Sequence, residues 1–382
     1  MQIRTLRRHT LSVLLLAAGL ASPAWAEVTI GGSIETDILL EGSEADGFRD
    51  NVQLDVEPRL FFAGEDKLDN GSSVIWKIWT GAENYRSDSA TNNDNNSGNG
   101  SRTWGNREAW GGWKGGWGQV RLGKIYSPSY MVLDWPYAAQ GGSMHVEEVG
   151  LLGFNIDNAI VYDSPNLSGF TVSGMYALRT QANQVDGNGN EYFADITAGY
   201  SGYGATVNVG YQQAKPRLKD GHVSEDNDEF AFIAGGYTFG DSGFTLRGGY
   251  KWWQCTASAK AGAGEGGGFA TNVGGCNYFT GPEQQHAWVQ GIYAFGKNSF
   301  ALGYNYFWGA EDINGNKIDD SDSQTLLGRY TYTLSKNTSG YFDVRYSTND
   351  TNGNIGATYG TSYGTKAGTD SYRLLLGTWT GF

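Results

Sequence analysis

Histidine, cysteine, charge and long apolar runs are all scarce in this sequence. Its 382 residues contain four histidines, and only His145, His222 and His286 lie beyond the first 26 positions. None stands in a recognisable nucleophile motif, so a barrel lipase or protease working at a membrane surface would lack a visible base beside its nucleophile. Two cysteines, Cys255 and Cys276, are all there are, and an even count in an exported chain points to one bridge between them. Such a bridge would stiffen a glycine-rich loop and carry no chemistry, with a pair of free thiols as the alternative. Only 18% of residues are charged and acids outnumber bases 40 to 27, which makes nucleic acid a poor partner. No cofactor is predicted.

The one apolar run of note is N-terminal. Arg4, Arg7 and Arg8 precede Leu11 to Leu20, and Ala24-Trp25-Ala26 follows as a small-x-small site. That order predicts a secretory signal peptide over residues 1–26, the run being shorter than the roughly 20 residues a spanning helix needs. Cleavage after Ala26 would take the formal charge from −13 to −16 and leave residues 27–382 as one domain. Beyond that point no apolar stretch is long enough for a transmembrane helix.

What the chain has instead is 58 glycines, 23 tyrosines, 17 phenylalanines and 13 tryptophans at a mean hydropathy of −0.43. A barrel with lipid outside and water inside needs apolar side chains only at alternate positions, so it reads as hydrophilic on average. The alternation is visible. Val28, Ile30, Ile34, Ile38 and Leu40 share one face of the first segment, and Thr29, Ser33, Glu35 and Asp37 the other. Val52, Leu54, Val56, Leu60 and Phe62 repeat the pattern against Gln53, Asp55, Glu57 and Arg59.

Continued along the chain, this period predicts sixteen strands near 28–40, 50–64, 71–83, 104–114, 117–125, 156–164, 168–179, 192–201, 204–213, 229–239, 243–253, 285–295, 298–308, 323–334, 337–348 and 370–382. Short connectors such as Gly115-Gly116 and Gly296-Lys297 alternate with long polar ones such as 84–103, 126–155 and 254–283. Short turns on one side and long loops on the other are how outer-membrane barrels are built. Aromatics gather at strand ends, as in Trp252-Trp253 and Tyr304, Tyr306 and Trp308, which predicts girdles at the two membrane interfaces rather than the core of a soluble sandwich. The expected fold is all-β: a 16-stranded antiparallel transmembrane β-barrel.

Five stretches resemble the neisserial-type general porins of Gram-negative bacteria. They are Glu27 to Gly32; Pro58 to Leu68 (PRLFFAGEDKL); Arg107 to Pro128 (REAWGGWKGGWGQVRLGKIYSP); Asn158 to Pro165 with Ser168-Gly169-Phe170; and the terminal Phe382. The resemblance implies a water-filled channel of the outer membrane, assembled as a homotrimer among membrane lipids and lipopolysaccharide, that passes ions and small hydrophilic solutes. It also implies that the third long loop, from Tyr126 to Asn155, folds into the bore and narrows it. Lys124 stands where the family usually has arginine, and the stretch around Trp110, Trp113 and Trp117 is richer in tryptophan than the family pattern.

Within that frame the loop supplies Asp134, Glu147 and Glu148 as an acidic side of the constriction. By alternation Arg59, Lys77, Arg107 and Arg121 point inward from four consecutive strands as a basic wall, and the family motifs have basic residues at three of them, Arg59, Arg107 and Arg121. The competing reading is that they pair with Asp55, Glu57, Glu35 and Asp37 and merely brace the wall. Arg247, Arg329, Arg345 and Arg373 also alternate inward, with no motif behind them. Asp312-Ile313-Asn314-Gly315-Asn316 spaces oxygens as a calcium loop does, but Lys317 replaces the glycine of the sixth position and no glutamate stands at the twelfth, so a solvated acidic loop and no metal is predicted. A closed, plugged barrel acting as an adhesin or anchor is the alternative to a channel.

Overall fold

The computed structural model describes residues 27–45, 50–81, 104–139, 146, 149–179, 191–216, 224–260, 278, 280–356 and 366–382. Sixteen strands follow in order: β1 Glu27–Ser43, β2 Asn51–Lys67, β3 Ser73–Gly81, β4 Glu108–Gly115, β5 Gly118–Tyr126, β6 Asn155–Asp163, β7 Phe170–Arg179 and β8 Glu191–Gly202. The second half comprises β9 Ala205–Lys215, β10 Asp228–Thr238, β11 Phe244–Gln254, β12 Glu283–Phe295, β13 Asn298–Glu311, β14 Ser323–Thr333, β15 Thr338–Asn349 and β16 Ser371–Gly381. Each pairs antiparallel with its neighbours in sequence, and β1 pairs with β16, so the sheet closes on itself. Closure leaves no open strand edge, which hydrocarbon could not hydrogen-bond. At the seam the Gly32 N–H donates to the Phe382 carbonyl at 3.1 Å and the Phe382 N–H returns the bond at 3.0 Å.

The period of two sorts the side chains. In β1, Asp37, Leu39 and Glu41 are buried on the inner face while Ile34, Thr36 and Ile38 are exposed on the outer one. In β8, Phe193, Asp195 and Thr197 turn in and Ile196 turns out. The strand limits agree closely with those read from alternation, except that the fourth strand begins at Glu108 rather than near 104, because Trp104 to Arg107 form a turn and bend.

The interior is not uniform. Inward residues of β6 to β14, among them Val161, Met175, Ala177, Phe193, Phe230, Phe232, Trp253, Trp288, Phe307 and Leu327, form one apolar cluster together with Leu133, Tyr137, Val146, Val149, Leu151 and Leu152 of the β5–β6 connection. Inward positions of β1, β2 and β14 to β16 include many charges, Glu35, Asp37, Glu41, Glu57, Arg59, Arg329, Asp343, Arg345 and Arg373, around a small apolar cluster of Leu39, Tyr341 and Leu375. On the outer face, exposed tyrosines and phenylalanines recur from β6 to β15, whereas β1 and β2 present Ile34, Ile38, Val52 and Leu54.

Candidate functional site

The β5–β6 connection starts at Tyr126 and is closed at its base by the Ser127 N–H, which donates to the Phe154 carbonyl at 2.7 Å. A short helix, α1, runs over Pro128–Leu133: Ser127 caps it, accepting from the Tyr130 N–H, and Pro128 sits where its missing N–H costs nothing. A π-helical turn, Asp134–Ala139, continues it. Leu133 and Tyr137, four residues apart, are buried, while Met131 and Trp135, also four apart, are about half exposed, so the segment has one face against the wall and one free face.

Polar groups on the wall pin this segment. The Asp195 carboxylate of β8 accepts from the Ser129 N–H at 2.9 Å and from its hydroxyl at 2.6 Å, placing a negative charge on the unsatisfied N–H groups of α1. Gln212 of β9 accepts from the Leu152 N–H at 3.0 Å and donates to Asp195 at 2.9 Å. Lys251 of β11, fully buried, donates to the carbonyls of Val146 and Val149 at 2.7 and 2.5 Å. Arg247 donates to the Pro136 carbonyl at 2.8 Å, and the Tyr137 hydroxyl to that of Gly235 at 3.2 Å. Gly150 has φ +82°, and a Cβ there would run into the Trp253 ring, so this close approach needs glycine. Asp195, Gln212 and Lys251 were not singled out in the sequence. Their signal was parity alone, since each is a polar residue on the inner face of a strand whose other inward positions are mostly apolar or small.

Across the bore, Arg59, Lys77 and Arg121 do turn inward, and each is paired. Arg59 contacts Glu57 and lies 3.8 Å from Glu35; Lys77 donates to Glu108 at 2.5 Å; Arg121 bonds Asp163 at 2.9 Å. The pairing expected of wall-bracing cations is present, with about a fifth of each cation still exposed (24%, 23% and 17%). Arg107 is a correction. Alternation in β4 turns Glu108, Trp110 and Gly112 inward, so Arg107 would face out if it lay in the strand. It sits in the bend before it, with its guanidinium over the Trp79 ring and its Nε donating to the Tyr126 hydroxyl at 2.9 Å.

Asp134 of the loop is held within the field of Arg59 and Arg107. Burial pushes its carboxyl above the ordinary carboxylate range; a hydrogen bond from Tyr130 and the two guanidinium groups pull it back down. Glu147 and Glu148 lie outside the described residues. Cys255 is buried and disulfide-bonded, at the start of the loop after β11; Cys276, with which the sequence pairs it, lies outside the described residues. Asp312 spends its carboxylate on its own turn, accepting from the N–H groups of Asn314 and Asn316 at 2.8 and 2.9 Å.

A family model described as Gram-negative porin matches residues 10–352. The chain belongs to that family. This porin is 26% identical over 344 residues to the major outer membrane protein P.IB of Neisseria sicca, across 86% of its own length and 90% of the relative's. It spans about half the length (53%) of other curated relatives of that name. Its fold matches an anion-selective porin from Comamonas acidovorans with a TM-score of 0.66 at 17% identity, over 94% of this chain and all of that one. It also matches the trimer form of the Vibrio cholerae outer membrane protein OmpT at 0.61 and 15% identity, over 94% and 99%. The porin is accordingly an integral β-barrel of the Gram-negative outer membrane.

Proposed function

We propose that the protein is a diffusion channel for ions and small hydrophilic solutes, narrowed between the Pro128–Phe154 segment and the inner faces of β2 to β5, and not an enzyme. The observation that carries this is the β5–β6 connection pinned by Asp195 and Lys251 along one half of the interior, with the paired cations Arg59, Lys77 and Arg121 on the inner faces of β2, β3 and β5. Charges of both signs across a narrow bore set up a transverse field, which favours hydrated and dipolar solutes over apolar ones. In this reading Arg59, Lys77, Arg107 and Arg121, with their acidic partners, line the constriction against Asp134, Glu147 and Glu148.

Planar-bilayer recording under a salt gradient tests it. Stable open steps are expected, and the sign of the reversal potential gives the ion preference. A folded, heat-modifiable barrel that passes no current would overturn the channel reading in favour of a plugged adhesin or anchor.

The same proposal includes three further parts. Residues 1–26 are removed on export, which the mass of the membrane-extracted protein would test. Cys255 and Cys276 form a single bridge that stiffens the loop after β11, which a mass shift on reduction and alkylation checks. Three copies associate through the aliphatic outer faces of β1 and β2, where the girdle of aromatic rings is interrupted. Leu54→Arg on that face should convert an oligomer in unheated gels to monomer.

A further inference from the structure

The wall of β2 to β5 carries more than charge. Inward positions there alternate rings with cations in register across the strands: Phe61 opposite Trp79, and Lys77 opposite Trp110. Lys77 Nζ lies 4.2 Å from the Trp79 ring centroid and 5.5 Å from that of Phe61; Arg107 lies 5.4 Å from Trp79, and Arg121 5.3 Å from Trp110. The strip continues onto the loop, where Tyr126 stacks on Tyr130 at 5.1 Å and Tyr130 packs on Phe154 at 5.4 Å. Phe61, Trp79, Trp110 and Tyr130 each keep part of their surface exposed.

The arrangement is held and given room. Glu108 fixes one indole and one cation together, accepting from Trp110 Nε1 at 3.2 Å and from Lys77 at 2.5 Å. Glycines face both members of the next pair: Gly123 stands opposite Trp110 and Gly112 opposite Arg121. Gly123 has φ +140°, and a Cβ there would crowd the Trp110 Cβ and backbone. Gly123 therefore lays no side chain on Trp110, and the β5 side chain that reaches its ring is the cation Arg121. A wall built only for small inorganic ions gains nothing from such rings, since water solvates the cations as well.

We propose that this strip is a subsite for flat organic anions, namely aromatic carboxylates, whose ring meets the indole surface that Trp79 and Trp110 leave exposed beside their cations while the carboxylate meets Lys77, Arg107 or Arg121. It rests on the channel reading and names a solute class for it. A neutral ring would use only the stacking surface and an inorganic anion only the cations. A ligand with both features satisfies both, and the residual exposure of each paired cation leaves a hydrogen-bonding edge for it.

The test compares benzoate with cyclohexanecarboxylate, which has the same charge and nearly the same size but no flat π face, in bilayers holding the purified protein. Benzoate is expected to permeate, or to block potassium chloride current, about three- to tenfold more effectively, the factor given by one or two ring contacts. Trp110→Leu and Trp79→Leu should bring that ratio to about one. Trp113→Leu, on the outer face of β4, should leave it unchanged. A ratio of about one in the unaltered protein, with normal chloride current, overturns the subsite and leaves the channel standing. Absence of chloride current overturns the channel, and calorimetric titration of benzoate into the detergent-folded barrel then decides the subsite separately: no binding preference over cyclohexanecarboxylate defeats it.

Discussion

The two halves of the barrel interior solve opposite problems with the same alternating backbone. Between β6 and β14 the inward positions carry one apolar cluster that buries a face of the β5–β6 connection, mixed with polar residues such as Asp195, Gln212, Lys251, Gln284, His286, Gln290 and Asn305. From β14 round through β16 and β1 to β2 they carry many charges of both signs. Asp343 sits 3.2 Å from Arg329 and 3.8 Å from Arg373, and Arg329 lies 4.0 Å from the Tyr341 ring centroid. One half carries a protein core inside the barrel; the other carries buried and half-buried ion pairs. The difference teaches that a connection is held against a barrel wall where inward positions turn apolar and single polar side chains meet its backbone.

That division predicts which substitutions act on stability and which on selectivity. The largest effect should come from the gripping half. Phe193→Ala removes a fully buried ring beneath the loop and is expected to cost about 3–5 kcal/mol, read as a lower denaturant midpoint in micelles. Lys251→Met keeps the stem but abandons the carbonyls of Val146 and Val149; a loss of about 2–3 kcal/mol and a noisier, larger single-channel current should follow. Unchanged current noise would mean that the pin does not hold the loop.

On the lining side the balance reverses. Arg121→Gln breaks a part-exposed pair with Asp163, so its stability cost should stay under about 1 kcal/mol while the reversal potential shifts toward cations. The smallest effect joins the two halves. As pH falls through the raised pKa of Asp134, the loop loses a negative charge beside Arg59 and Arg107, and selectivity should move toward anions. Because that pKa is raised in the fold, its stabilising contribution is complete when the group is protonated and is lost as pH rises through it. Asp134→Asn should abolish this part of the pH dependence; a reversal potential that still follows pH in the same range would assign it elsewhere.

Parity made most of the fold legible from sequence. The alternation of Ile34, Ile38 and Leu40 with Glu35 and Asp37 is imposed by lipid on one side, and each strand carries that signal locally, so all sixteen could be placed. It misled at Arg107, where a bend before β4 breaks the count. The site was legible only in part. That Arg59, Lys77 and Arg121 face inward follows from parity, but their partners Glu108 and Asp163 depend on which residues register brings side by side. The pins Asp195, Gln212 and Lys251 depend on where a loop comes to rest, which no local pattern encodes.

The seam between β1 and β16 has a consequence for the order of events in assembly. Every other pairing joins strands adjacent in sequence and can form as soon as a hairpin exists, but Ser33 finds Gly381 and Gly32 finds Phe382 only when the last strand arrives. Loop-closure entropy makes such a distant contact the slow one. Until it forms, the growing sheet has two raw edges that hydrocarbon cannot tolerate, so insertion into the membrane and closure of the ring are bound to proceed together.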